Sequence, residues 1–132
     1  MKPETQIGER RTQQRAAILE AIRGAAGPLT VDQIQAAAQR TVANLGIATV
    51  YRTVKLLLDH GEIRTVTLPD GQPRYEAADL GHHHHFRCRR CGRVYDLDLC
   101  PIALPEGMKL PGGFHVEDHE VTLYGTCPRC SG

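Results

Sequence analysis

Tryptophan is absent from this 132-residue chain, and aromatic residues make up only 5% of it. Aromatic side chains supply much of the buried area of a large core, so any core here is small. Small domains commonly draw added stability from a metal, a disulfide or a partner chain. The sequence also lacks an apolar run long enough to span a bilayer. Residues 1–8 are polar and hold no apolar stretch of the signal-peptide kind. The expectation is a soluble cytoplasmic protein with no membrane partner, in which thiols stay reduced and spaced cysteine pairs favour metal over disulfide. No His-Glu-x-x-His helix and no nucleophile arrangement occurs, which leaves a metalloenzyme without a catalytic motif.

A strong charge imbalance is missing too: the formal net charge is +1. Its distribution is uneven, with 10 Lys/Arg against 7 Asp/Glu in residues 1–75 and 6 against 8 in residues 76–132. A basic front half suits phosphate, but an excess this small does not by itself specify nucleic acid.

What is present begins with helices. Residues 1–11 read as a basic arm, and Thr12 as the cap of a helix running to about Ala25, with Ile18, Leu19 and Ile22 on its apolar face. Gly27-Pro28 breaks it. Thr30-Val-Asp-Gln33 is a capping-box pattern opening a second helix through Ile34, Ala37 and Ala38. A third helix is predicted from about Ala48 to His60, stopped by Gly61, with Val50, Val54, Leu57 and Leu58 facing the core. Thr49, Arg52 and Lys55 share another face, bordered by Tyr51. That face is either solvated or a reader of the DNA major groove, where Arg52 could make a bidentate contact to guanine. Glu62–Leu68 alternates and is β-branched, Pro69-Asp70-Gly71 is a turn, and Gln72–Glu76 returns. Three helices followed by a hairpin is the winged-helix order, with the third helix as reader. Arg10, Arg11 and Arg15 could then reach phosphates or a minor groove. The predicted domains are a DNA-binding unit at 1–78 and a metal-binding unit at 79–132.

The second half carries the metal chemistry. Cys88-Arg-Arg-Cys91 is answered by Cys127-Pro-Arg-Cys130, four thiolates at the spacing a structural zinc site uses. Ahead of them runs His82-His83-His84-His85. Side chains alternate along a strand, so His83 and His85 face one side and His82 and His84 the other. Glu76 and Asp96 are candidate further ligands for the first pair, and His119 on an expected last strand, Val116–Tyr124, for the second. Imidazole with carboxylate suits Fe²⁺, Mn²⁺ or Zn²⁺. His115 and Cys100 are spare; Cys100 reads as a plain thiol, with ligand or redox duty as the alternative.

Arg11-Thr-Gln-Gln-Arg15-Ala-Ala-Ile-Leu, Gly46-Ile-Ala-Thr-Val-Tyr-Arg-Thr53, His82-His-His-His-Phe-Arg-Cys88-Arg-Arg-Cys91-Gly92 and Leu123-Tyr-Gly-Thr-Cys127 together resemble the ferric uptake regulator family over nearly the whole chain. The resemblance implies an α+β fold: an N-terminal winged helix plus a small C-terminal α/β dimerisation domain with a structural zinc knuckle. It implies a homodimeric repressor that binds double-stranded operator DNA when metal-loaded. By position, Tyr51 and Arg52 match the family's base-contacting pair and Arg15 a DNA-facing residue of the first helix. The four cysteines match the structural zinc site. Glu76, His83, His85 and Asp96 match the sensory site, and His82, His84 and His119 the additional site.

The departures bear on the metal. A sensory histidine common before the second helix is replaced by Pro28, and the cysteine frequent in zinc sensors is missing at Ala77-Ala78. With Pro28 in place of the histidine, the clamp from the first domain rests on Glu76; the missing cysteine favours Fe²⁺ or Mn²⁺ over Zn²⁺ as the regulatory ion. Asp96 also fits a peroxide sensor. The acidic ligand usual in the additional site lies where a helix is truncated near Cys100–Pro111, with Glu106 as a substitute. The expected function is a metal-dependent repressor of metal homeostasis. Zinc-uptake and peroxide-sensing repressors are the alternatives within the family. A zinc-buffering module or a metalloenzyme is the alternative outside it.

Overall fold

The computed structural model describes residues 4–81, 83–100 and 107–131. The fold is mixed α+β and divides into two compact units, Met1–Leu80 and Gly81–Gly132. Among the described residues, no helix is long and apolar enough to cross a membrane.

The first unit is a winged helix: α1 (Glu4–Arg23), α2 (Val31–Ala38), α3 (Ile47–Asp59), β1 (Ile63–Thr67) and β2 (Pro73–Ala77). Its core gathers Ala17, Ile18 and Ile22 of α1, Ile34 and Ala38 of α2, Val50, Val54 and Leu57 of α3, and Ile63 of β1. Helix α1 begins earlier than the sequence reading placed it. Thr12 is not a cap but an interior residue, and its hydroxyl donates to the Gly8 carbonyl at 2.8 Å. Glu, Gln and Arg dominate this stretch and are good helix formers, and a threonine inside a helix can return its hydroxyl to the preceding turn. The expected arm is thus largely helical from Glu4.

The predicted capping box is formed. Thr30 Oγ1 accepts from the Gln33 amide at 3.2 Å, and Gln33 Oε1 accepts from the Thr30 amide at 3.0 Å. Helix α3 ends in a Schellman motif: Gly61 has φ 71°, its amide donates to Leu58 O and the Glu62 amide to Leu57 O. The hairpin pairs Ile63 with Ala77 and Thr67 with Pro73. Its turn is closed by the Gly71 amide on Leu68 O at 2.8 Å. Asp70 accepts both guanidinium nitrogens of the buried Arg74. Leu29 adds a short bridge to Tyr75, with both backbone bonds made, so the segment before α2 is stitched to the wing.

The second unit holds a three-stranded sheet in the order β4 (Val94–Leu97), β3 (His84–Cys88), β7 (Thr122–Gly125). Strand β3 is antiparallel to β4 and parallel to β7. A two-residue hairpin, β5 (Lys109–Leu110) with β6 (Phe114–His115), and a short α4 (Pro128–Ser131) complete its described elements. The expected Val116–Tyr124 strand is shortened to β7, and His119 lies before it rather than on it. Glu117-Asp118-His119-Glu120 is a polar run, and the Asp118 carboxylate accepts from the His119 amide at 2.8 Å, a local bond that displaces strand pairing.

Candidate metal centres and nucleic-acid face

On α3, Tyr51, Arg52 and Lys55 are exposed while Val50, Val54 and Leu57 are buried, so one helix separates a core stripe from a polar face. Tyr51 is 58% exposed, an unusual position for a large aromatic without a partner surface. Arg52 Nη2 donates to Thr49 Oγ1 at 3.1 Å, which pre-orients the guanidinium. Arg11 and Arg15 are exposed on α1.

The four cysteines converge. Cys88 closes β3, Cys91 follows a turn in which the Gly92 amide donates to Cys88 O and Gly92 has φ 76°, and Cys127 and Cys130 flank the start of α4. Their sulfurs all lie within 4.8 Å of one another, with Cys91 Sγ and Cys127 Sγ 3.9 Å apart. Thiolates 2.3 Å from a tetrahedral zinc stand about 3.8 Å apart, so the spacing fits that ion. The electrostatics agree. Backbone amides, first that of Cys91, lower the Cys88 thiol from 9.0 to about 6. A hydrogen bond from Tyr95 lowers Cys127, and the same bond pushes the Tyr95 phenol up to about 12. Cys130, hydrogen-bonded to Cys127, is pushed up to about 12. Four sulfurs this close cannot all carry charge unless a cation joins them.

The histidine run splits by face. His83 Nε2 and His85 Nε2 lie 3.4 and 3.6 Å from Asp96 Oδ1, with the two rings edge to face at 4.9 Å. The register that pairs His85 with Asp96 across β3 and β4 makes this local. His83 Nδ1 donates to Gly81 O at 2.7 Å, which leaves Nε2 as the ring's ligating nitrogen. Glu76, on β2 of the first unit, is buried and accepts from Arg64 Nε at 2.8 Å and Nη2 at 2.6 Å.

On the other face His84 is 1% exposed. Its Nε2 lies 3.3 Å from Cys100 Sγ, which lies 3.2 Å from His119 Nε2. The sequence pairs His84 with His119 and offers Cys100 as a plain thiol, with ligand or redox duty as the alternative; the structure brings its sulfur to both rings. The only signal for Cys100 was its place just beyond the strand that antiparallel pairing brings beside β3. His82 and Glu106 lie outside the described residues. His115 sits on β6, paired with Lys109.

A winged helix followed by a unit with a four-sulfur knuckle is the architecture of the metalloregulators. The model of the ferric uptake regulator family matches residues 6–124, and the chain belongs to that family, whose members are transcription regulators rather than enzymes. The chain is 31% identical over 129 residues to the peroxide operon regulator of Bacillus subtilis (strain 168), covering 96% of this chain and 87% of the relative. It is 34% identical over 122 residues to the ferric uptake regulation protein of Rhizobium leguminosarum bv. viciae, covering 92% and 86%. Its fold is similar to that of a zinc-bound manganese uptake regulator, with a TM-score of 0.68 at 28% identity over 86% of this chain and 87% of the other.

Proposed function

We propose that the protein is a metal-dependent transcriptional repressor that acts in the cytoplasm as a homodimer and binds double-stranded operator DNA when loaded with Fe²⁺ or Mn²⁺. The observation that carries this reading is the division of α3 into a buried stripe and an exposed Tyr51, Arg52, Lys55 face, with half-buried Thr49 beside it, on a winged helix. Arg52 is the base reader and Tyr51 its neighbour, while Lys55 and Arg15 meet the phosphate backbone. Cys88, Cys91, Cys127 and Cys130 hold a structural zinc. Glu76, His83, His85 and Asp96 are the regulatory ligands, and His82, His84 and His119 belong to an additional site. Nitrogen and carboxylate ligands without sulfur favour Fe²⁺ or Mn²⁺ at the regulatory site. The ion must bind the DNA-competent state more tightly, and DNA then tightens ion binding by the same factor.

The test is fluorescence anisotropy on the protein's own promoter DNA with the structural zinc retained. Mn²⁺ tightening DNA binding at buffered trace zinc supports the proposal; tightening with Zn²⁺ alone makes the protein a zinc-uptake repressor instead. A second reading, peroxide sensing, is favoured by the single Asp96 oxygen shared between His83 and His85. Oxidation of either histidine after Fe²⁺ and peroxide, read by mass spectrometry, would select it.

A further inference from the structure

Cys100 stands between two imidazoles. His84 Nε2 approaches its sulfur to 3.3 Å and His119 Nε2 to 3.2 Å, and the two rings are 4.9 Å apart. The three residues come from three places in the chain: β3, the residues just after β4 and the segment before β7. Their ligand atoms lie mutually within 4.8 Å. A tetrahedral ion bound by one thiolate and two imidazoles holds its ligand atoms roughly 3.3–3.6 Å apart; the two sulfur–nitrogen distances reach this by opening a few tenths of an ångström, and the two nitrogens already lie within 4.8 Å of each other.

We infer that His84, Cys100 and His119 form a thiolate-containing site for Zn²⁺, chemically unlike the cluster on the opposite face of β3. The inference deepens the reading of His84 and His119 as an additional metal site; the sulfur ligand and the selectivity it confers are new. A thiolate with two imidazoles selects a borderline-soft ion, and Mn²⁺ and Fe²⁺ stand below Zn²⁺ in affinity for such a set. His83, His85 and Asp96 offer nitrogen and oxygen alone. One strand thus presents two ligand sets that sort ions by softness. Binding forms two Zn–N bonds and one Zn–S bond and sends the Cys100 thiol proton to solvent.

Occupancy also has a backbone consequence. The Val121 amide donates to His84 Nδ1 at 3.1 Å, so the neutral ring carries its proton on Nε2, facing Cys100. An ion on Nε2 moves that proton to Nδ1, opposite a second donor, and the Val121 bond breaks. The chain at the entry to β7 therefore registers whether the site is filled.

Cobalt reports this directly, because a thiolate ligand gives Co²⁺ an intense near-ultraviolet charge-transfer band. Full-length protein carrying His83→Ala, to silence the opposite cluster, and retaining zinc on its four-cysteine knuckle is titrated with Co²⁺. One further cobalt with the charge-transfer band is expected. Adding Cys100→Ser should abolish the band and weaken Zn²⁺ competition by at least roughly a hundredfold, since losing a direct ligand costs no less than losing one of the outer partners that orient ligands. His119→Ala should also release the ion. Retained knuckle zinc and an unchanged circular dichroism spectrum show that each variant is folded. In wild-type protein, zinc should shift the Val121 amide resonance. Failure of cobalt to bind, or a band that survives Cys100→Ser, overturns the inference. Because the assay contains no DNA, a parallel Mn²⁺-dependent anisotropy titration of Cys100→Ser fails separately if the repressor reading is the one at fault.

Discussion

Arg64 and Glu76 face each other across the wing hairpin, and both Nε and Nη2 of the arginine close on one oxygen of the buried carboxylate. The arginine side chain is 43% exposed and the glutamate 3%, so the pair is asymmetric. Removing the glutamate releases an arginine to water, whereas removing the arginine leaves the carboxylate buried with less compensation for its charge. Arg64→Ala should therefore destabilise the metal-free protein by roughly 1–3 kcal/mol, below the cost of breaking a fully buried pair because water reaches Arg64. If Glu76 is a regulatory ligand, Arg64 competes with the ion for it. Mn²⁺ should then raise the melting temperature of Arg64→Ala more than that of the wild type in thermal unfolding.

Arg52→Ala should weaken operator binding by about 1–3 kcal/mol, the worth of one bidentate base contact, and relax preference at the guanine it reads. Arg52 contributes nothing to the core of α3, so melting temperature and metal content should be unchanged. Anisotropy on operator and scrambled DNA, with elemental analysis of the same samples, checks both halves. Equal affinity of variant and wild type would remove α3 as the reading helix.

Cys88→Ser should release the structural zinc and leave the second unit only marginally stable while the winged helix persists. Structural zinc sites contribute binding free energies of about 10–16 kcal/mol near neutral pH, so losing the ion removes most of what holds the unit closed. Here Cys88 ends β3 and Cys127 follows β7, so one ion there ties together the C-terminal ends of both strands of the parallel pair. Amide exchange should show loss of protection across β3, β4 and β7 with α1 to α3 still protected. A variant that keeps sheet protection would show that the sheet stands without the ion.

The thiol shifts set a pH profile for the metal-free chain. Cys88, depressed from 9.0 to about 6, contributes stability above pH 9 that is lost as pH falls through about 6. Cys130, raised from 9.0 to about 12, contributes stability below pH 9 that is lost as pH rises through about 12. Tyr95, raised from 10.0 to about 12, contributes below pH 10 and fails over the same upper range. Metal-free protein should be most stable near pH 9 and decline on either side, measured by unfolding midpoints between pH 6 and 11. A maximum near pH 6 would contradict the hydrogen-bond pattern around Cys88.

What the sequence made legible was local. The Thr30–Gln33 box, the Val50, Val54, Leu57 stripe, the Gly61 stop and the Pro69-Asp70-Gly71 turn each depend on neighbours within one or two turns of chain, and each formed as read. Alternation along a strand was enough to send His83 and His85 one way and His84 the other. The failures involve competition or distance. Thr12 can cap a helix or sit inside one, and the good helix formers before it decided the matter. The Leu29–Tyr75 bridge and the parallel β3–β7 pair join residues far apart in sequence and leave no periodic trace. Cys100 looked idle because its partners, His84 and His119, lie 16 and 19 residues away.

The position of Cys88 at the end of the histidine strand has a further consequence. Side chains on a strand change face with every residue, so sliding β3 by one residue against β4 would turn His84 toward Asp96 and take His85 to the sulfur. The knuckle anchors β3 at Cys88, and the Arg89 amide bonds Gly125 O at 2.8 Å just beyond it. The four sulfurs thereby fix which imidazole meets oxygen and which meets sulfur. An ion far too tightly held to act as a signal would in this way decide which signals the neighbouring histidines can read.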